Sequence, residues 1–189
     1  MKLRMPKFLI EATGHILLSP RPCWFVWRPN IHKVKGSDVR RIIDVVEPGD
    51  ILLRRFDGYL NTLLTKGYFS HAGTYVGNNN VVHSVSQGCI CEDILNFCRA
   101  DAVCVLRSKN LYPEAVAQAQ LMAAMNVPYD YQFSSINETY YCTETVDMVH
   151  NHMFTEDYTT VAGNCILTPD GIFNSSAVER ILTINYKGG

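Results

Sequence analysis

"YFSHAGTYVGNNNVVHSV", residues 68–85, decides the fold. Two runs of small, β-branched and aromatic residues flank Gly77 and three asparagines, which tolerate the positive φ of a tight turn. The stretch therefore reads as an antiparallel hairpin with strands at 70–77 and 80–85. Each strand carries one histidine in an otherwise apolar setting, His71 and His83. A single strand histidine is ordinarily a half-buried packing residue. Two of them equidistant from Gly77 open a second reading. A turn about Gly77 sets them opposite each other on one face, where one imidazole can hydrogen-bond the other. A turn centred between Asn78 and Asn79 sends His83 to the other face. Both registers are open at the level of sequence.

Outward from the hairpin, "DILLRR" (50–55) and "AVCVLR" (102–107) read as strands. The segment from Ile166 to Tyr186 reads as a turn, a short helical piece and a final strand. Helices are expected at 38–46, capped by Ser37 and closed by "EPGD", and at 57–67. A helical turn is expected at 91–98, and further helices after Pro113 and from Tyr140 to Met153. Strands adjacent along the chain with helices around them predict an α+β fold, an antiparallel sheet packed against helices. Residues 1–36, punctuated by Pro20, Pro22 and Pro29 and carrying Trp24, Phe25 and Trp27, read as an N-terminal extension packed on a domain formed by 37–189.

At 189 residues the chain suits one domain, and a net charge of -1 gives no nucleic-acid footprint. No apolar run reaches the roughly 18 residues of a membrane span. The basic start resembles a secretory signal, but Glu11 and the lack of a small-x-small site argue against cleavage. Seven scattered cysteines fit reduced thiols in the cytoplasm. His83, Cys89, Cys91 and Cys98 lack the usual C-x2-C spacing of zinc ligands, so they are not expected to hold zinc.

The chemistry concentrates in "YYCTETVDMV" (140–149). Cys142, Val146, Val149 and Met153 share one helical face with the cysteine in the first turn, where free N–H groups and the helix dipole favour a thiolate. The same N–H groups can stabilise an oxyanion. Tyr129, Tyr131 and Tyr140 are aromatic candidates for a cleft, with Tyr131 and Tyr140 taken as substrate contacts. Glu144 reads as favouring the helix N-terminus, His150 and His152 as packing or rim residues, and Asp147 as solvated surface.

"PGDILL" (48–53), "FSHAGTYVG" (69–77), "VVHSV" (81–85) and "YYCTETV" (140–146), in that order, resemble the permuted papain-like amidases. These form the YiiX/YaeF-like branch of the NlpC-type cysteine hydrolase superfamily, related to lecithin retinol acyltransferase-like proteins. The resemblance runs from Pro48 to the C-terminus. It implies a circularly permuted papain-like fold, with histidine before cysteine along the chain. It also implies Cys142 as nucleophile, His71 as general base and His83 as the group orienting His71. The implied reaction is acyl transfer from an amide or isopeptide through an acyl-enzyme, with no metal or other cofactor. The amidase branch often carries glutamate where this chain has His83, which is closer to the acyltransferase branch. A lipid-directed acyl hydrolase or acyltransferase, touching a membrane peripherally through "CWFVW", is the alternative. A catalytically silent binding module of the same fold is the third reading.

Overall fold

A computed structural model describes residues 32–57, 67–110, 112–133, 138–161 and 163–187, together with the backbone of 16–20 and 23–27. In chain order the elements are β1 (Ile16–Pro20), β2 (Cys23–Trp27), α1 (Gly36–Ile43), β3 (Ile51–Arg55), β4 (His71–Gly77), β5 (Asn80–Val85) and β6 (Gly88–Asp93). There follow α2 (Ile94–Phe97), β7 (Ala102–Ser108), α3 (Ala115–Ala124), α4 (Cys142–Val149), β8 (Tyr158–Val161), β9 (Asn164–Leu167), α5 (Pro169–Asn174) and β10 (Val178–Ile184). Six strands form an antiparallel sheet in the order β10-β7-β3-β4-β5-β6. The strand pairs β1–β2 and β8–β9 stand as separate hairpins.

Alternation along β3 divides the core. Ile51 and Leu53 join Ala72, Leu106, Phe154 and Phe173 on one side of the sheet, together with Val146 of α4. On the same side Val76 and Val82 pack with Ala119, Met122 and Val149, as α3 and α4 lie over β4, β5 and β6. Leu52 points the other way, to Tyr75, Val81, Val103 and Val105, where Ile42 of α1 and Ile94 and Phe97 of α2 close the layer. Burial on both faces explains the nearly continuous apolar run of β7.

The hairpin resolves the register in an unexpected way. Asn78 and Asn79 both take left-handed φ, 51° and 59°, so the turn has the apex that ought to separate the histidines. Pairing then steps from Gly77–Asn80 to Tyr75–Val81, which inserts one extra residue into β4 as a bulge. Beyond it Thr74 faces Val82, so Gly73 comes next to His83 and His71 shares its face. The bulge restores the parity that the turn had broken.

That contact leaves no room for a side chain. A Cβ on Gly73 would lie 2.8 Å from Val81 Cγ1 and 3.0 Å from both His83 Cβ and Val82 O. Gly73→Ala is expected to cost about 1–3 kcal/mol and to displace the His83 ring. Urea unfolding checks this, and an unchanged midpoint would refute the close fit.

Several expected boundaries move, each for a local reason. α1 starts at Gly36, not after Ser37, because the Lys35 N–H is taken by Asp38 Oδ2 at 2.9 Å. Residues 88–93 are strand rather than part of a helical turn, and Asp93 then caps the four-residue α2 by accepting the Leu95 N–H at 2.7 Å. α3 begins two residues after Pro113, at Ala115. The helix from Cys142 stops at Val149 because Asn151 and His152 turn left-handed and Asp147 Oδ1 takes the Phe154 N–H at 2.9 Å. The expected helix at 57–67 lies outside the described residues except at its ends. The side chains of 1–31 also lie outside them, so the packing of the extension does too; Val34 N–H donates to Ala100 O at its inner end. Among the described residues no helix is long and apolar enough to cross a membrane.

Candidate active site

Shared parity on β4 and β5 brings the two imidazoles into contact. His71 Nε2 and His83 Nδ1 are 2.8 Å apart, with the rings edge to face. His83 is fully buried, with its ring against Phe97 of α2, and its Nε2 lies 3.1 Å from Glu92 Oε2 on β6. That N–H is not aimed straight at the carboxylate, so the contact is bent. Arg54, cross-strand partner of His71 on β3, lies on the same face. Its Nη1 donates to Phe97 O at 3.2 Å and reaches Glu92 Oε2 at 3.4 Å, while its guanidinium stacks 4.4 Å from the Phe97 ring centroid.

Cys142 arrives from the opposite side of the sheet, and the way strands β4 and β5 part explains how. The Tyr75 N–H donates to Asp50 O, so odd-numbered amides of this stretch face the β3 side and the Ala72 amide faces β5. The β4–β5 ladder, however, ends at Thr74–Val82. The Ala72 N–H is thereby free of the ladder and reaches Cys142 Sγ instead, beside the N–H groups of Thr143 and Cys142 itself. The start of α4 is thus seated where the strands separate, against the residue that follows His71. Ser84 Oγ and Thr145 Oγ1, 2.6 Å apart in the core, tie α4 to β5 behind it.

Burial sets the protonation of these groups. It raises the thiol of Cys142, and the three backbone N–H groups and Arg54 pull only partly the other way. The expected drop of that thiol toward neutrality is therefore overturned by desolvation. Burial, then the charge of Arg54 and the neighbouring His83, hold His71 well below its usual range. His83 is also lowered by burial, against the pull of Glu92. Burial works to raise Glu92, but His83 and Arg54 outweigh it and hold the carboxyl below its ordinary value. At neutral pH the resting site holds a thiol and two neutral imidazoles.

The aromatic candidates separate. The Tyr131 hydroxyl donates to Ser86 O and its ring leans on Tyr129, with centroids 5.0 Å apart. Tyr140 packs on the Val76–Val82–Met122 cluster. Tyr129 lies nearer the thiol, for burial and then Cys142 are the causes that raise its hydroxyl well above the usual range. Asp147 is not solvated surface. It is 2% exposed and accepts from Tyr158 Oη at 3.1 Å besides the Phe154 amide, because the chain folds back over it after α4. Glu144 Oε2 takes the Tyr141 N–H at 3.4 Å, and burial pushes its carboxyl up to about 8. Sequence reasoning missed Glu92 and Arg54. Arg54 sits in the quoted "DILLRR", and its position opposite His71 appears only with the strand pairing.

A histidine-bearing strand that precedes the cysteine-bearing helix, carried on an antiparallel sheet, is the order of a papain-like fold whose chain has been circularly permuted. The family model of the permuted papain-like amidase enzymes (YaeF/YiiX, C92 family) matches residues 45–181, and the chain belongs to that family. Among solved structures, the crystal structure of metalloprotein yiiX from Escherichia coli O157:H7 is similar, with a TM-score of 0.56 and 16% identity over 72% of this chain and 96% of that one. No curated protein matches the chain by sequence. The family indicates hydrolase activity of the amidase type.

Proposed function

We propose that the protein is a thiol hydrolase that cleaves an amide or isopeptide bond through Cys142, His71 and His83. The observation that carries this reading is that the Ala72 amide, one residue along the chain from a histidine already paired with a second one, favours the thiolate of Cys142 at the start of α4. Since His71 Nε2 is engaged by His83, Nδ1 is the nitrogen left to act as base. In the first step the Cys142 proton passes to His71 Nδ1 and the sulfur adds to the carbonyl carbon. The oxyanion is met by N–H groups at the start of α4. The imidazolium returns its proton to the amine, the C–N bond breaks and a thioester remains. Water then adds to that thioester with His71 again taking a proton, and acid and thiol are released. Tyr131 and Tyr140 are proposed as substrate contacts, beside Tyr129.

The Escherichia coli relative is described as a metalloprotein. Here the facing nitrogens of His71 and His83 are spent on each other at hydrogen-bond distance. Among the described residues no three His, Cys, Asp or Glu side chains form a group able to hold a metal ion. The described residues do not fit a metal, and no step passes through one.

The test is peptide mapping after brief treatment with limiting iodoacetamide, on the wild type and on His71→Ala. Cys91 and Cys165 are exposed and will react as ordinary thiols. Cys89, Cys98 and Cys104 are buried, with pKa values pushed up to about 11, 12 and 12. Modification of Cys142 is expected to fall at least about tenfold in His71→Ala while the exposed thiols are unaffected. Because the resting pair is neutral, its rate should climb with pH through the neutral range rather than stay flat from acid pH. Equal labelling of Cys142 in both proteins would defeat the proposal and favour a silent module. A panel of amides and long-chain lipid esters then separates the amidase from the acyl-lipid reading.

A further inference from the structure

We infer that Glu92 is a positioning residue that fixes the tautomers of both histidines and so leaves the basic lone pair on His71 Nδ1, an inference that rests on the thiol-hydrolase reading. Glu92 stands opposite Val81 across the β5–β6 pair, and Val81 shares a face with His83 two residues on. This register points the carboxylate at the far nitrogen of His83. That nitrogen is buried, and apart from the bent contact with Glu92 Oε2 at 3.1 Å it has no hydrogen-bond partner among the described residues, so Glu92 is the acceptor it meets.

The consequence follows from counting protons. An ionised carboxylate only accepts, so the His83 nitrogen facing it must carry hydrogen. A neutral imidazole has one such hydrogen, and His83 Nδ1 is therefore left as an acceptor. Its partner at 2.8 Å, His71 Nε2, must then be the donor. The single hydrogen of His71 is thus committed to Nε2, and Nδ1 stays bare for the thiol proton. Arg54 reinforces the chain from the other side, since its Nη1 near Glu92 keeps the carboxylate ionised. Its hold on Phe97 O also fixes the wall against which the His83 ring stands. Cys98, also near Arg54, has its thiol pushed up to about 12 by burial and stays neutral.

Two substitutions separate accepting from mere filling of space. Glu92→Met keeps length but offers no acceptor for the imidazole, whereas Glu92→Gln keeps a carbonyl that can accept. Long-range ¹H–¹⁵N spectra of histidine-labelled protein at pH 7, assigned with His71→Asn and His83→Asn, read the tautomers directly. Wild type should show both rings protonated at Nε2. Glu92→Met should show mixed tautomers at both rings and alkylation of Cys142 slowed at least about tenfold, and Glu92→Gln should restore both. Identical spectra for wild type and Glu92→Met, or Nδ1-protonated rings in the wild type, would overturn the inference. If Cys142 labelling depends on His71 while the tautomers ignore Glu92, the hydrolase stands and the positioning role falls. If the tautomers follow Glu92 while Cys142 is inert in the wild type, the positioning role stands and the hydrolase falls.

Discussion

A Cys142→Ala protein is expected to lose turnover of activated acyl substrates such as p-nitrophenyl esters by on the order of 10⁴-fold or more, because the nucleophile forms the bond on which both half-reactions depend. Folding should survive. Backbone N–H groups around the sulfur favour its thiolate, but α4 is held by Val146 and Val149 in the core and by the Thr145–Ser84 contact, none of which involves the thiol. Ester turnover and thermal melting, measured on the same preparations, check the two halves together. Residual turnover within tenfold of wild type would move the nucleophile elsewhere, and a collapsed melting temperature would show that Cys142 is chiefly a packing residue.

The second large effect is on acid stability, through His150. This residue, buried at the end of α4, is pushed down to about 4 by burial, with Asp147 and Asp50 opposing. The unfolded chain takes up its proton near 6.5, while the folded protein refuses it until about pH 4. Between those values the unfolded state binds more protons, so stability falls as pH falls. The full span is worth about 3 kcal/mol. His71, held low in the same manner, adds in the same direction. Glu144 acts oppositely. It keeps its proton in the fold to about pH 8, so its contribution is lost as pH rises from its ordinary value toward 8. From pH 7.5 to 4.5 the urea midpoint of His150→Phe, whose ring cannot charge, should therefore rise relative to that of the wild type, whatever the sum of the opposing His and Glu144 contributions does to the wild-type curve itself. Parallel curves for the two proteins would show that His150 titrates normally in the fold.

What could be read from the sequence was governed by whether a signal was local. The strands around Ile51, His71, Val81 and Val103 and the helix start at Cys142 carry their periodicity and turn chemistry within a few residues, and they stand within one or two residues of where they were expected. β6 was hidden because Glu92 and Asp93 are polar and Asp93 caps the next helix, so a strand and a helical turn compete for the same letters. β8 and β9 are four residues each and partly polar, too short for alternation to speak. Asp147 looked like surface because nothing nearby announces the left-handed turn at Asn151 and His152 that folds Phe154 and Tyr158 back onto it. The histidine pair hung on a single parity that residues 77–80 alone do not reveal, since the bulge at Val76, just before them, reverses it. Glu92 and Arg54 join the pair through cross-strand register, which is a property of the assembled sheet.

The bulge has a practical corollary for anyone who wishes to alter this molecule. Because the phase of His71 relative to His83 is set at Val76 and not at the tip, the Asn78–Asn79 turn does not choose the face on which His71 lies. An epitope or fluorescent reporter spliced between those two asparagines should leave both histidines on one face, while loosening the hold of Asn79 O on the Ile94 N–H at the start of α2. Deleting the one residue Val76 would instead act like a slipped gear tooth, turning one histidine to the opposite side while hardly changing the composition.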